Sequence, residues 1–335
     1  MLKLISLFSG AGGIDIGFKK AGFETILATD NWKLACETLK ANKIANNIVC
    51  KDIREINFSK YKNKIDCLIG GPPCPPYSKS RFYIKSKKRA LEDDDSFTLK
   101  FFLKTIKDTN PKVFFFENVH GFIFKPHKDA FRLLENETKN LGYNLTCKVI
   151  NCADYGIPQI RQRFICVGVK KKIGKFTFPN PTHSKTNTIL KKWVNCKEAI
   201  GDLDKKLPED KHKLAGSKHK NLLKLIPPGQ NYLFFTKERG HPKPKFKWRS
   251  RYWSFLLKLS PKEPSWTIQA SFSNNMGPFH WSNRFLRINE IKRIQTFPDK
   301  YKLKGVFRDQ WRLIGNAVPP KISEIFAKEI KKQFF

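Results

Sequence analysis

The sequence predicts an α/β protein built on an open, largely parallel sheet, with a smaller domain inserted in its second half. Short apolar runs without polar alternation, the pattern of strands buried on both faces, are separated by segments of helical spacing. Glycines or acidic residues stand where those runs end. Beyond residue 186 and up to about Trp281 the composition turns to Lys, Pro, Trp and His with few clean helical repeats, and amphipathic patterning returns near residue 287.

The elements follow in order. "LKLISLF" (2–8) is the first strand and ends in a glycine turn. "IDIGFKKAGF" (14–23) carries Ile14, Phe18 and Ala21 at helical spacing. "ETILATD" (24–30) reads as a second strand, "KLACETLKANK" (33–43) as a helix, and "KIDCLIGG" (64–71) as a strand closing on glycines. "PKVFFFENV" (111–119) and "RFICVGVK" (163–170) are further strands of the same kind, and right-handed crossovers are expected between parallel neighbours. "RINEIKRIQTF" (287–297) and "PPKISEIFAKEIKKQF" (319–334) read as amphipathic helices. The expected division is a main domain over 1–183 and 282–335, with 184–281 inserted; the length of 335 residues accommodates both.

Lys plus Arg number 65 against 29 for Asp plus Glu, a net charge of +36. Such an excess favours a polyanionic partner bound with release of counterions, although a Lys-rich solvated surface gives the same count. With 29 Phe, 8 Tyr and 7 Trp, the chain is too aromatic for a disordered basic tail. The eight cysteines, Cys36, Cys50, Cys67, Cys74, Cys147, Cys152, Cys166 and Cys196, include no CxxC pair, so no zinc framework and no metal are expected. Free thiols in a cytoplasmic protein are the simplest expectation. No apolar run approaches the ~18 residues of a membrane span, and the N-terminus lacks a signal-peptide pattern.

Four motifs carry chemistry. "LFSGAGGIDIGF" (7–18) joins a strand to a helix through a glycine turn that lets a ligand approach the backbone. The dinucleotide pattern GxGxxG would need glycine at Asp15, which disfavours a Rossmann dehydrogenase. Asp30 ends the next strand, where a carboxylate can meet ribose hydroxyls; a plain tight turn fits the same residues. In "DCLIGGPPCPPYSKS" (66–80), Pro72, Pro73, Pro75 and Pro76 fix the backbone around Cys74. The basic run that follows favours a thiolate or contacts phosphates, where a structural thiol would need neither. "FFFENV" sends Glu117 out of a strand so apolar that its carboxylate needs a partner or a proton. "QIRQRF" (159–164) adds Arg161 and Arg163.

In this order, and followed by "RFLRINEIKRIQTFP" and "GNAVPP" (315–320), these motifs resemble the DNA (cytosine-5) methyltransferases of bacterial restriction-modification systems. The resemblance implies a Rossmann-like, S-adenosylmethionine-dependent methyltransferase sheet with an inserted target-recognition domain. It implies that Cys74 adds as thiolate to carbon 6 of a flipped-out cytosine, that a protonated Glu117 donates to ring nitrogen 3, that Arg163 contacts the base carbonyl oxygen, and that Arg161 orients the site. The Pro73 carbonyl would read the exocyclic amine. For S-adenosyl-L-methionine, it places Phe8, Ser9, Gly10 and Gly12 at the methionine end and Asp30 at the ribose. Asn31 or Trp32 would lie beside the adenine, Asp52 at its amine and Ile53 on its ring, with Asn316 and Val318 closing the pocket. Ser78 and Arg81 fall in a segment similar to the loop that closes over the flipped base.

In the inserted domain, Arg239, Lys245, Arg249 and Arg251 of "RGHPKPKFKWRSRYW" suit phosphate clamping and guanine readout. The implied partner is double-stranded DNA, bound by a monomer, with a cognate restriction endonuclease acting separately. A tRNA cytosine-5 methyltransferase of the same family and a non-catalytic DNA-binding relative are the alternatives. Pro75 stands where the family usually has Gln, and Asp30 where it has Glu.

Overall fold

A seven-stranded sheet forms the centre of the computed structural model, which describes residues 1–73, 97–208, 215–271 and 273–335. In chain order the elements are β1 (Leu2–Leu7), α1 (Gly13–Lys20), β2 (Phe23–Asp30), α2 (Lys33–Ala41), β3 (Asn47–Cys50), β4 (Cys67–Gly70), α3 (Phe97–Thr109), β5 (Val113–Val119), α4 (Lys128–Asn140), β6 (Tyr143–Asn151), β7 (Gln159–Ile160) and β8 (Gln162–Lys170). The sheet order is β3-β2-β1-β4-β5-β8-β6. Pairs from β3 through β5 are parallel, as the buried apolar runs predict.

The run 163–170, expected to be another strand of the parallel kind, lies antiparallel to both β5 and β6. A strand buried on both faces has the same composition in either direction. The short connection after β6 fixes the direction, because it can return the chain only as an antiparallel neighbour. The helix expected over 14–23 stops at Lys20, and Phe23 instead opens β2.

The triple phenylalanine of β5 divides between the two faces of the sheet. Phe115 joins Phe18 and Phe326 on one face, while Phe114 and Phe116 join Phe102 and Phe122 on the other. Edge-to-face contacts at 5.6 Å (Phe18 with Phe115) and 5.3 Å (Phe102 with Phe116) close both layers.

Beyond β8 lie β9 (His183–Ser184), β10 (Lys191–Lys192), α5 (Cys196–Ile200), α6 (Lys220–Leu225), β11 (Ser265–Trp266), α7 (Ile288–Ile294), α8 (Phe307–Asn316) and α9 (Pro320–Phe334). A separate aromatic cluster around Tyr232, Phe235, Phe255 and Phe279 fills the centre of this region. Cys196, Ile200, Leu259 and Ile268, by contrast, pack with Ala11, Leu39 and Trp311 of the sheet's flank.

Helix α9 returns beside α1, and two glycines permit the approach. A Cβ on Gly13 would stand 2.0 Å from the Val318 carbonyl oxygen, and one on Gly17 would stand 2.4 Å from the Glu324 nitrogen. The Tyr301 hydroxyl donates to the Ala11 carbonyl at 2.7 Å, across 290 residues of sequence.

One thiol expectation is corrected. Cys147 and Cys166 stand directly opposite in the β6–β8 ladder, with Cα atoms 4.2 Å apart, and are joined as a disulfide. Facing positions of an antiparallel pair bring two Cβ atoms within bonding reach, a proximity that sequence separation hides. Among the described cysteines the other five are free. No helix among the described residues is long and apolar enough to cross a membrane.

Candidate active site

The carboxyl ends of β1, β2, β4 and β5 open into a cavity of about 1300 Å³, the position where open α/β sheets hold ligands. Its first wall is the glycine turn. Phe8, Gly10 and Gly12 all have positive φ, at 53°, 52° and 74°, and the Ser9 amide donates to the Thr29 carbonyl at 3.0 Å. Phe8, Ser9 and Gly10 line the cavity, whereas Gly12 stands behind the wall and Gly13 and Ile14 take its place. A Cβ on Gly12 would lie 2.9 Å from Leu39, so that glycine serves the turn and its packing.

Asp30 braces this wall. Its carboxylate accepts from the Gly10 amide at 2.8 Å and from the Trp32 amide at 2.9 Å. Burial nevertheless pushes its pKa up, against those hydrogen bonds. Asn31 and Trp32 continue the lining, with the Arg312 guanidinium 4.9 Å from the Trp32 ring centre. Asp52 and Ile53 line the next stretch. Asp52 accepts both Arg54 Nε (2.9 Å) and Arg54 Nη2 (2.8 Å), and these bonds hold its carboxyl below the usual range.

The far wall comes from the end of the chain, where Asn316 and Val318 face the cavity. Arg161 holds it there. Its Nη1 donates to the Ile268 carbonyl at 3.0 Å, and its Nη2 donates to the carbonyls of Gly315 (2.8 Å) and Ala317 (3.0 Å). Only 1% of Arg161 is exposed, and burial pulls its pKa down to about 9.

At the other end Glu117, 8% exposed, leaves β5 and meets Arg163, with Oε1 2.7 Å from Nε. Burial pushes Glu117 up, and Arg163 and Arg161 oppose this. Its second oxygen lies under Gly71, 3.0 Å from where a Cβ would stand. Asn118 Nδ2 donates to the Pro72 carbonyl at 3.3 Å, and Pro73 lines the cavity. The backbone from Gly71 to Pro73 therefore runs along the cavity beside the Glu117 carboxylate. Cys74 itself, with Ser78 and Arg81, lies outside the described residues.

The profile of the C-5 cytosine-specific DNA methylases matches residues 2–332. The chain belongs to this family. It is a DNA (cytosine-5) methyltransferase of the kind found in bacterial restriction-modification systems, with the Rossmann-like sheet of that class. The type II methyltransferase M.SacI of Streptomyces achromogenes is 36% identical over 99% of this chain and 93% of its own length. M.FnuDI of Fusobacterium nucleatum is 35% identical over 99% and 94%. The crystal structure of the S. pombe Dnmt2 methyltransferase has the same fold, with a TM-score of 0.67 at 15% identity, covering 100% of this chain and 99% of that one.

The methyltransferase cavity also includes residues that motif reading missed. Thr267, Gln269 and Ser271 follow β11, and Arg308 and Arg312 project from α8. The helical spacing of Arg308, Arg312 and Asn316 is visible in "RDQWRLIGN", but an exposed basic face predicts the same spacing. None of Arg239, Lys245, Arg249 and Arg251 lines the cavity; all four are exposed. Arg239 and Arg249 flank the Trp248 ring, at 5.9 and 5.8 Å from its centre.

Asp15, which breaks the dinucleotide fingerprint, is fully buried in α1, and among the described residues neither carboxylate oxygen has a hydrogen-bond partner. Burial pushes it from its ordinary 3.8 up to about 7. The folded methyltransferase therefore holds this proton more tightly than the unfolded chain. Stability from this group is complete below the ordinary value and is lost as pH rises through about 7. Asp15→Asn removes the dependence. From urea unfolding, its stability relative to wild type is expected to improve by up to about 4 kcal/mol between about pH 4 and pH 8. A constant difference across that range would assign the proton elsewhere.

Proposed function

We propose that the methyltransferase adds a methyl group to carbon 5 of a cytosine flipped out of a specific duplex DNA sequence, through a covalent adduct with Cys74. One observation carries this reading: the glycine turn, Asp30, the Glu117–Arg163 pair and the approach to Cys74 share a single cavity.

The residues present fit S-adenosylmethionine, which when bound supplies the methyl group. Gly10 offers open space, since a Cβ there would meet nothing within 4 Å. Ile53 and Trp32 provide apolar surface for a ring, and Asp30 and Asp52 provide acceptors. Phe8 and Ser9 would hold the methionine end, with Asn316 and Val318 across from them.

At the target base, Cys74 Sγ bonds to carbon 6 while ring nitrogen 3 takes a proton from Glu117, which leaves an enamine nucleophilic at carbon 5. Once carbon 5 carries the methyl group, its proton passes to solvent, the C5–H electron pair re-forms the 5,6 double bond as the thiolate is expelled, and ring nitrogen 3 returns its proton to Glu117. Burial favours the protonated acid that donation requires, whereas Arg163 favours the carboxylate. Arg163 turning to the base carbonyl oxygen releases Glu117 to carry its proton. Arg161 acts on neither atom and positions the 315–317 wall. Pro73, Ser78 and Arg81 would contact the flipped base and its strand, and the basic 239–251 segment would read the surrounding sequence. The cost of flipping, about a few kcal/mol, is met by these contacts.

The test compares methyl transfer from labelled cofactor to duplex DNA and to tRNA, followed by bisulfite sequencing of DNA from cells that express the protein. Methylated cytosines at one recurring sequence are expected. Transfer to tRNA alone would overturn the reading.

A further inference from the structure

Two of the largest side chains in the protein stand exposed on the inserted region without being loose. Trp253 is 48% exposed and Trp266 is 38% exposed, and their rings meet edge to face with centroids 5.6 Å apart. The backbone beneath them is held by buried polar groups. Asn231, 3% exposed, donates through Nδ2 to the Trp253 carbonyl at 2.7 Å. The hydroxyl of Tyr232, 1% exposed, donates to the Arg251 carbonyl at 2.8 Å and accepts from the Arg251 amide at 3.1 Å.

Trp266 is fixed from the other side, since β11 pairs with β7 and sets Trp266 opposite Ile160, immediately before Arg161. The next residue, Thr267, bonds the Ile160 carbonyl at 2.8 Å and lines the cavity. The ring pair therefore sits on the cavity rim, one residue from its wall and at the end of the basic 239–251 run. Exposed aromatic surface of this kind lies higher in free energy in water than when it is covered, and rigid aromatic faces amid cations suit a nucleobase rather than an acidic peptide.

We infer that Trp253 and Trp266 form a stacking shelf for a DNA base that leaves the helical stack when the duplex opens at the target cytosine. The shelf rests on the proposed function above. It differs from the basic side chains in kind: stacking is independent of counterion release, whereas phosphate contacts set the salt dependence of binding.

The experiment uses the full chain and a fluorescent duplex carrying the sequence that bisulfite sequencing identifies. Trp253→Ala/Trp266→Ala is expected to weaken DNA binding by about 5- to 150-fold. The slope of log affinity against log salt should be unchanged, and S-adenosylhomocysteine binding retained as the sign of an intact fold. Trp253→Phe/Trp266→Phe should recover most of the affinity. Should the double alanine variant not fold, Trp253→Ala alone carries the same expectation with a smaller loss, because the Asn231 and Tyr232 anchors remain.

Wild-type affinity in the alanine variants, or a loss accompanied by a reduced salt slope, would overturn the shelf and leave the proposed reaction standing. A wild-type protein that methylates no DNA would overturn both.

Discussion

Cys74→Ser is expected to abolish methylation of duplex DNA, with a loss in kcat on the order of 10³ to 10⁶, the scale on which removal of a nucleophile acts. Serine is nearly isosteric, so cofactor and DNA binding should survive while the attacking thiolate is lost. The placement of the approach argues for this position. Gly71 lies over the Glu117 carboxylate, and Asn118 holds the Pro72 carbonyl, so the residues that immediately precede Cys74 in sequence are held beside the acid. A duplex carrying 5-fluorocytosine at the target supplies the direct readout. The fluorine cannot leave as the carbon 5 proton does, and the adduct should accumulate with wild-type protein and be absent with Cys74→Ser. An adduct that persists in the variant would remove Cys74 from the nucleophile's role.

Glu117→Gln is expected to lower kcat by about 10²- to 10⁴-fold, the usual contribution of a positioned general acid, with smaller effects on the KM for either substrate. The pH profile distinguishes lost proton donation from disturbed packing. Burial raises the Glu117 pKa above its ordinary 4.5, and the protonated form is the donor. Wild-type turnover should therefore fall as pH rises through the raised value, and this limb should vanish in the glutamine variant. Folding follows the same sign: the stability associated with this proton is present at low pH and is lost as pH rises through the folded value. An unchanged limb in Glu117→Gln would place the titrating acid elsewhere.

The parallel half of the sheet was legible because "LKLISLF", "CLIG" and "VFFF" are apolar without alternation, which only strands covered on both faces require. Strand β6 escaped notice because "YNLTCKVIN" at the sheet edge is largely half-exposed and mixes polar with apolar side chains. Glu117 was legible as a carboxylate stranded on an apolar strand. Its pairing with Arg163 was less so, because it depends on β5 and β8 lying antiparallel, with Val119 opposite Arg163. Arg161 gives the clearest contrast. Its motif singles it out, but apart from the Gln159 side chain at 3.4 Å its partners are main-chain carbonyls at 268, 315 and 317, and a carbonyl has no residue type to read. The Trp253–Trp266 contact is likewise tertiary, since each tryptophan alone is compatible with a core anchor.

The closure of the glycine turn by the other end of the chain has a consequence in time. Ala11 and the Tyr301 side chain that caps it are separated by 290 residues. At ribosomal rates of about 5 to 20 residues per second, the turn waits on the order of 15 to 60 s for its partner to be made. Throughout that interval Ile14 and Phe18 lack the Ile322 and Phe326 surface that later covers them. A nascent chain therefore carries a sticky, half-built pocket until the segment from Tyr301 to Phe326 has been made, and the ability to modify DNA arrives only with that segment.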